Sequence, residues 1–453
     1  MNFKDKLVLV VGLAKSGVAV SNLLVKAGSK VIATDKRDEK ELKDTELASL
    51  SKDVKLVLGR HPLDLLKQPF DFVVKNPGIP YHVPFLQEIL KLKIPLLTEI
   101  EVAFYFLKSP IIGITGSNGK TTTTLLLSNI LTRSKITNLV AGNIGLPLSS
   151  VVDSKVSYII TELSSFQLKG IINFRPKIAA LLNISKTHLD YHLTFEDYVF
   201  SKLKIFKNQL QDEKAVLNPN LYGFLKKKNY LKGNLKNDIY WFSVDKEVEK
   251  GVFLKDDFIY YAINKETEKI LKVGEIFLKG KKNLENILAA TLISLLCGAK
   301  LQSLREELAT FRGVEHRLEF VREVNGVSYY NDSKATNPNA VINALTSFQQ
   351  PIIWIAGGLD RGNDFKELLP YLQKKVKAAF FYGQTKDILV SLAKNIEGIK
   401  VVKVQDVEEA VKRAAAFAKP LDVVLLSPGC ASWDIYSSFE ERGRIFKEAV
   451  HNL

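Results

Sequence analysis

The sequence predicts an α/β protein of three domains: a Rossmann-like N-terminal domain, a central P-loop ATPase-like domain and a C-terminal Rossmann-like α/β domain. Apolar runs of four to six residues alternate with helix-period patterns along the chain, as strands and helices do in parallel sheets. The alternation falls into three blocks, and 453 residues suit about three domains of ordinary size. The second block contains I-I-G-I-T-G-S-N-G-K-T-T-T-T at residues 111–124, an apolar strand running into a Gly-rich turn that ends in Lys and Thr.

The first block, residues 1–97, opens with a strand at 7–12, a helix at 17–27 and a second strand at 31–35. A third strand at 71–75 ends in the turn Asn76-Pro77-Gly78, and Ile94-Pro95-Leu96 closes the block. G-L-A-K-S-G at residues 12–17 is similar to the dinucleotide fingerprint G-x-G-x-x-G, except that Ala14 replaces the middle glycine. Its Cβ would crowd the approach of a pyrophosphate to the backbone. Asp35, at the end of the second strand, suits a ribose hydroxyl, whereas Lys36 and Arg37 beside it suit an anionic or uracil-bearing ligand. A dehydrogenase, a nucleotide-binding regulatory protein and a plain glycine turn all remain open on these residues.

The second block spans residues 98–312. In its turn, Gly116 and Gly119 let backbone N–H groups face phosphates without a Cβ in the way, and the following helix offers its positive N-terminus. Ser117 and Asn118 lie between them, and Thr122 follows. Lys120 would neutralise the β and γ oxygens of a triphosphate, and Thr121 supplies a hydroxyl for Mg²⁺. The turn departs from G-x-x-x-x-G-K at its first position, where Ile114 stands.

Further strands are expected at 156–161 and 178–183, a hairpin-like stretch at 240–263 and a helix at 284–297. Glu162 follows the first of these strands, where a carboxylate can hold the Mg²⁺ that Thr121 also touches; the alternative is a Glu capping a helix start. His188 and Asp190 follow the second, at the same sheet edge, where a histidine becomes a candidate ligand or polariser. Lys202 falls on a helix and, read alone, is a solvated lysine.

The third block, residues 313–453, begins after Phe311-Arg312-Gly313 and carries strands at 352–356, 378–382 and 423–426.

Composition narrows the function classes. Apolar residues are 46% and charged residues 25%, values of a globular protein. No segment reaches the ~18 uninterrupted apolar residues of a spanning helix, and the N-terminus enters a strand with no leader-like apolar segment, so no membrane association or export is expected. The formal charge of +15 is spread out. Its densest stretch, Lys226 to Lys228 with Lys232 and Lys236, reads as a polar loop without aromatic interleaving, so no nucleic-acid partner is expected. Cys297 and Cys430 form no metal or redox spacing, which fits a reducing cytoplasm.

Seven segments together carry a resemblance: T-G-S-N-G-K-T-T from Thr115, G-N-I-G from Gly142, E-L-S-S-F-Q from Glu162, N-I-S-K-T-H-L-D from Asn183, His316-Arg317, N-D-S-K-A-T-N from Asn331, and S-P-G-C-A-S from Ser427. In this order the chain resembles the Mur ligase family, over nearly its whole length. The D-S-K-A-T-N segment resembles the family's D-glutamate-adding branch, whereas sister ligases for L-alanine or a diamino acid typically carry a D-Y-A-H type segment. Folylpolyglutamate synthases share the P-loop style without a first block of this kind, and a ligase of that type is the alternative within the same chemistry.

The resemblance implies ATP, UDP-N-acetylmuramoyl-L-alanine and D-glutamate as substrates, two Mg²⁺ sites and a cytoplasmic monomer. It places Thr121 and Glu162 on one Mg²⁺. His188 and Lys202 fall on the second, with Lys202 carbamylated so that an anionic oxygen replaces a repelling ammonium. Asn143 falls on the muramoyl substrate. Asn286, Arg317 and Asp332 match positions that hold adenine, phosphate and ribose, and Lys334 and Thr336 face the junction of ATP and D-glutamate. Arg361 stands where the family has lysine, keeping a cation for one D-glutamate carboxylate, while Ser432 and Phe439 match the positions for the other. Lys15, Ser16, Asp35, Lys36 and Arg37 match the uridine-binding loops, with Asn76 and Gly78 turning the backbone beside the pyrophosphate.

Overall fold

A computed structural model describes residues 2–42, 47–231, 235, 237–263, 266–278 and 280–453, with backbone alone at 281 and 282. Lys232 and Lys236 of the Lys-rich stretch lie outside the described residues. The chain divides into two compact units, Met1–Phe311 and Arg312–Leu453. Among the described residues the strands form three sheets, two in the first unit and one in the second.

The first sheet is built from β1 (Leu7–Val11), β2 (Lys30–Thr34), β3 (Lys55–Val57), β4 (Phe72–Lys75) and β5 (Leu96–Thr98), all parallel, in the order β3-β2-β1-β4-β5. The chain reverses direction across the sheet between β1 and β4. Such a switch point opens a ligand crevice at the strands' carboxyl ends. Helix α1 (Lys15–Lys26) starts two residues earlier than the glycine pattern predicts, because Ala14 is extended and becomes its N-cap. Gly17 packs so closely that a Cβ there would lie 1.9 Å from the Gly12 carbonyl oxygen.

The second sheet contains β6 (Ile111–Thr115), β7 (Asn138–Gly142), β8 (Tyr158–Glu162), β9 (Ile178–Leu181), β10 (Lys214–Leu217), β11 (Asp238–Ser243), β12 (Gly251–Lys255), β13 (Phe258–Ile263) and β14 (Glu266–Lys272). Their order is β14-β13-β12-β11-β10-β9-β6-β8-β7, parallel from β7 to β12. The stretch expected as one hairpin is thus a parallel strand β11 followed by the antiparallel pair β12 and β13, joined through left-handed Asp256 and Asp257. Strand β6 lies between β8 and β9, so its carboxyl end is again a switch point.

Helix α2 (Lys120–Arg133) follows β6 and buries Leu126, Leu127, Ile130 and Leu131, residues that recur at helical spacing. Each such burial contributes about 1.5–3 kcal/mol. Helix α3 (Ser165–Lys169) begins after β8 with a capping box between Ser164 and Gln167, so the cap is serine and Glu162 ends the strand instead. Helix α4 (Phe195–Leu203) carries Lys202, and α5 (Pro219–Lys227) carries the lysines read as a loop. An Asn218 cap and Pro219 at its first position start that helix. Helix α6 (Lys281–Leu296) packs against α2.

The second unit has β15 (Glu319–Val324), β16 (Val327–Asn331), β17 (Ile352–Gly357), β18 (Val376–Tyr382), β19 (Lys400–Lys403) and β20 (Val423–Leu426), in the order β15-β16-β20-β17-β18-β19. Only β15 is antiparallel to its neighbour. Helices α7 (Pro338–Leu345) and α8 (Phe439–His451) follow the loops at the carboxyl ends of β16 and β20.

Candidate active site

The turn between β6 and α2 is shaped by Gly119 at φ 82°, where a Cβ would come within 1.9 Å of the Asn286 side-chain oxygen on α6. Ile114, where a longer phosphate loop has glycine, is instead a fully buried core residue of β6. Residues beyond β9 brace the turn. The Ser117 and Asn118 N–H groups donate to the Asn183 backbone and side-chain oxygens at 3.0 and 2.9 Å, and the Ser117 and Tyr198 hydroxyls lie 2.7 Å apart. Lys120 folds over the turn and donates to the Gly116 and Ser117 carbonyls at 2.9 and 3.1 Å.

Glu162, only 1% exposed at the end of β8, receives the Thr121 hydroxyl at 2.8 Å on one oxygen and the Asn143 amide at 2.7 Å on the other. Three residues that the sequence placed on metal or substrate therefore meet on one carboxylate. Among the described residues no group of three or more His, Cys, Asp or Glu side chains forms a metal cluster by itself. A hydroxyl, one carboxylate and phosphate oxygens are the donor set Mg²⁺ usually takes in phosphate-handling sites, so Thr121 and Glu162 fit that ion.

Lys202 is 2% exposed, and its amine donates to the Gly116 carbonyl at 2.8 Å and the Thr115 hydroxyl at 3.2 Å. It also lies 5.0 Å from the centroid of Tyr198, one helical turn earlier on α4. Burial, reinforced by the Lys120 charge and opposed by Glu162, pushes its pKa well below the ordinary lysine range. His188 is left-handed at φ 55° and opens the short helical turn Leu189–His192. Burial and then the Lys120 charge lower its pKa, with Lys202 adding to the shift and Asp190 opposing it. The His188 ring centroid lies 6.4 Å from that of Tyr198, the ring that Lys202 also flanks, so His188 and Lys202 share one aromatic neighbour.

At the crevice of the first sheet, the Asn76 amide donates to the Ser16 hydroxyl at 3.1 Å, and the Asn76 side-chain oxygen accepts the Gly78 N–H at 2.9 Å. Burial would raise the Asp35 carboxyl, but hydrogen bonds from Arg37 and the Leu13 N–H hold it below the usual range. Asp35 thus organises the two loops there, while Lys15 and Lys36 are exposed.

In the second unit, Asp332 follows β16 and is tied to both flanks. It accepts the Ser427 hydroxyl at 2.9 Å and the Leu318 N–H at 3.1 Å. Burial lifts its pKa to about 7. Lys334 lies 5.3 Å from the Phe439 ring centroid, and Arg361 stacks 5.5 Å from Trp433, next to buried Ser432. Arg317 and Thr336 are half-buried on the flanking segments. The strands' carboxyl ends therefore gather Asp332, Lys334, Arg361, Ser432 and Phe439 around one edge of the sheet.

Sequence reasoning missed Asn183, Tyr198 and the chain Asp197–His192–Ser165, whose contacts run 2.8 and 2.9 Å through the two His192 nitrogens. Tyr198 sits four residues before Lys202, the spacing that places both on one helix face, and that signal could have found it.

Comparison with known proteins accords with this geometry. Family models described as the Mur ligase MurD-like N-terminal domain, the Mur ligase middle domain and the Mur ligase glutamate ligase domain match residues 6–98, 114–294 and 316–430. A UDP-N-acetylmuramoylalanine--D-glutamate ligase of Geobacillus kaustophilus is 45% identical over 456 aligned positions, covering 100% of this chain and 98% of that protein. The chain belongs to the Mur ligase family. An enzyme of the same name from Bacillus cereus is 46% identical, again over 100% of this chain and 98% of the relative.

Solved structures extend the likeness in fold. The UDP-N-acetylmuramate-alanine ligase of Thermotoga maritima has a TM-score of 0.57 at 18% identity, with 99% of each chain covered. FolC of E. coli, in complex with DHPP and ADP, has a TM-score of 0.56 at 17% identity, with 78% of this chain and 92% of that one covered. A three-domain α/β Mur ligase architecture therefore holds for this chain, and the shared fold with FolC does not discriminate between acceptors.

Proposed function

We propose that this Mur ligase joins D-glutamate to UDP-N-acetylmuramoyl-L-alanine, with ATP converted to ADP and phosphate, in the synthesis of peptidoglycan precursors. Full-length similarity to enzymes of that name supports the choice of substrates over a folate-type acceptor. The observation that supports the chemistry is that Lys120 and Lys202 bond the Gly116–Gly119 turn, Thr121 bonds Glu162, and His188 lies near Tyr198 beside Lys202, at one switch point of the central sheet.

Forming an amide from a carboxylate requires activation, because an oxide is too poor a leaving group. The acceptor's L-alanyl carboxylate oxygen attacks the γ-phosphorus of ATP, giving an acyl phosphate and ADP. The D-glutamate amine then adds to the acyl carbon, and the tetrahedral intermediate loses a proton and expels phosphate. The protein's contribution is positioning and charge compensation. Lys120 swings from the turn carbonyls to the β and γ oxygens, while Ser117, Asn118, Gly119 and Thr122 line the phosphate cradle. Mur ligases require Mg²⁺, which when bound would neutralise phosphate and carboxylate charge; Thr121 and Glu162 would hold it at one site, and His188 with a carbamate on Lys202 at a second.

Lys202 fits a carbamate. Burial lowers the pKa of its amine, and an unprotonated amine can attack CO₂, losing one proton to become a carbamate that would serve as an anionic oxygen donor. Asn143 orients the muramoyl part, and Lys15, Ser16, Asp35, Lys36, Arg37, Asn76 and Gly78 form the uridine diphosphate crevice. Asn286, Arg317 and Asp332 serve ATP, Lys334 and Thr336 the junction of the substrates, and Arg361, Ser432 and Phe439 the D-glutamate carboxylates. We place the domain boundaries at 1–97, 98–312 and 313–453 and expect a cytoplasmic monomer. Among the described residues no helix is long and apolar enough to cross a membrane.

Incubation with ATP, Mg²⁺, UDP-N-acetylmuramoyl-L-alanine and D-glutamate tests the assignment by mass spectrometry. A product heavier by one glutamyl residue, with one phosphate released per product, is expected. Phosphate release without that product would overturn it.

A further inference from the structure

The turn that carries His188 begins and ends in left-handed backbone at non-glycine residues, His188 at φ 55° and Leu193 at φ 64°. Such conformations persist only where surroundings hold them. One support is Phe166 of α3, whose ring centroid lies 4.0 Å from Tyr191, 5.0 Å edge-on from His188 and 5.6 Å from His192. A second is His192, bonded to Asp197 and Ser165.

The third support comes from the first sheet. Lys75, the last residue of β4, is fully buried, and its amine donates to the Tyr191 hydroxyl at 2.9 Å and the Pro77 carbonyl at 3.3 Å. It also lies 4.6 Å from the centroid of Tyr81. An apolar side chain would fill this volume without desolvating an amine, so the polar contact is costly unless it fixes something. The residue after Lys75 is Asn76, which bridges to Ser16 across the crevice of the first sheet. Lys75 therefore reaches from beside that crevice to the His188 turn.

We propose that Lys75 is a positioning residue for the ligase reaction: through Tyr191 it fixes the His188 turn relative to the strand end that borders the acceptor-nucleotide crevice. The role rests on the function proposed above. Lys75 touches no reacting atom; it sets where His188 stands when the acceptor's carboxylate arrives from that crevice.

The test is a double-mutant cycle of Lys75→Met and Tyr191→Phe in the full-length enzyme, with steady-state rates measured across Mg²⁺ and ATP concentrations. Each single variant is expected to lower kcat by about 10-fold and raise the Mg²⁺ concentration at half-maximal rate several-fold, as supports of metal-holding side chains do. KM for ATP should be unchanged, and the double variant should lose no more than either single one. Singles with wild-type kcat and Mg²⁺ dependence would overturn the role, as would losses that multiply in the double variant. If Lys75→Met does not fold, Tyr191→Phe, which removes one oxygen, decides by the same readouts. A wild-type enzyme that makes no product with D-glutamate would overturn the functional reading and this role with it; variants that match an active wild type would overturn this role alone.

Discussion

The Thr121 hydroxyl donates to the Glu162 carboxylate across 2.8 Å, joining the first turn of α2 to the end of β8. Glu162→Gln keeps the shape of this contact and removes the charge. Turnover should fall by at least about 10²-fold, with a higher Mg²⁺ requirement and an unchanged unfolding midpoint. A Mg²⁺ titration of the rate checks this, and a wild-type titration curve for the variant would count against Glu162 as a metal holder.

Lys120 bonds the carbonyls of its own turn, and the proposed function has it exchange them for phosphate oxygens. Lys120→Ala should lower kcat by about 10² or more while the circular dichroism spectrum stays native. A near-native rate would mean that the turn does not hold ATP.

Lys202 allows a chemical rescue. Lys202→Ala should lose most activity, and acetate, entering the vacated space, should restore part of it as a stand-in for the proposed carbamate. Lys202→Arg should not respond, since its guanidinium fills the space and keeps a positive charge. A fully active Lys202→Ala enzyme would refute the carbamate.

Lys75 makes stability depend on pH. Burial, with the Lys169 charge adding, lowers its pKa from 10.5 to about 7. Between those values the unfolded chain binds a proton that the folded protein does not, so folding gains stability as pH rises, by up to about 1.4 kcal/mol per unit. Below about pH 7 both states are protonated and this dependence is flat. Urea unfolding from pH 7 to 9 should show the wild type gaining on Lys75→Met as pH rises. Parallel curves would contradict the shift.

The central strand–turn–helix was legible because four β-branched residues (Ile111, Ile112, Ile114 and Thr115), the turn glycines Gly116 and Gly119 and a Lys-Thr pair specify it locally. Strands β14 and β19 were not: the first is largely exposed and charged, the second is four residues long, and both lie at sheet edges where pairing rather than burial defines the strand. Lys202 read alone as a solvated lysine, since nothing on α4 reveals that the Gly116 turn covers it. The contact of Lys75 with Tyr191 was equally hidden, because it joins the first sheet to the helical turn after β9, which no local pattern relates. Family resemblance supplied Asn286, whose position beside Gly119 depends on the packing of α6 on α2.

The central claim is the identity of the amino acid joined. Phosphate release with ATP, Mg²⁺ and UDP-N-acetylmuramoyl-L-alanine should be measured with D-glutamate, L-glutamate, L-alanine, L-lysine and diaminopimelate in turn. D-glutamate alone should stimulate release strongly; equal stimulation by L-alanine, L-lysine or diaminopimelate would contradict the account.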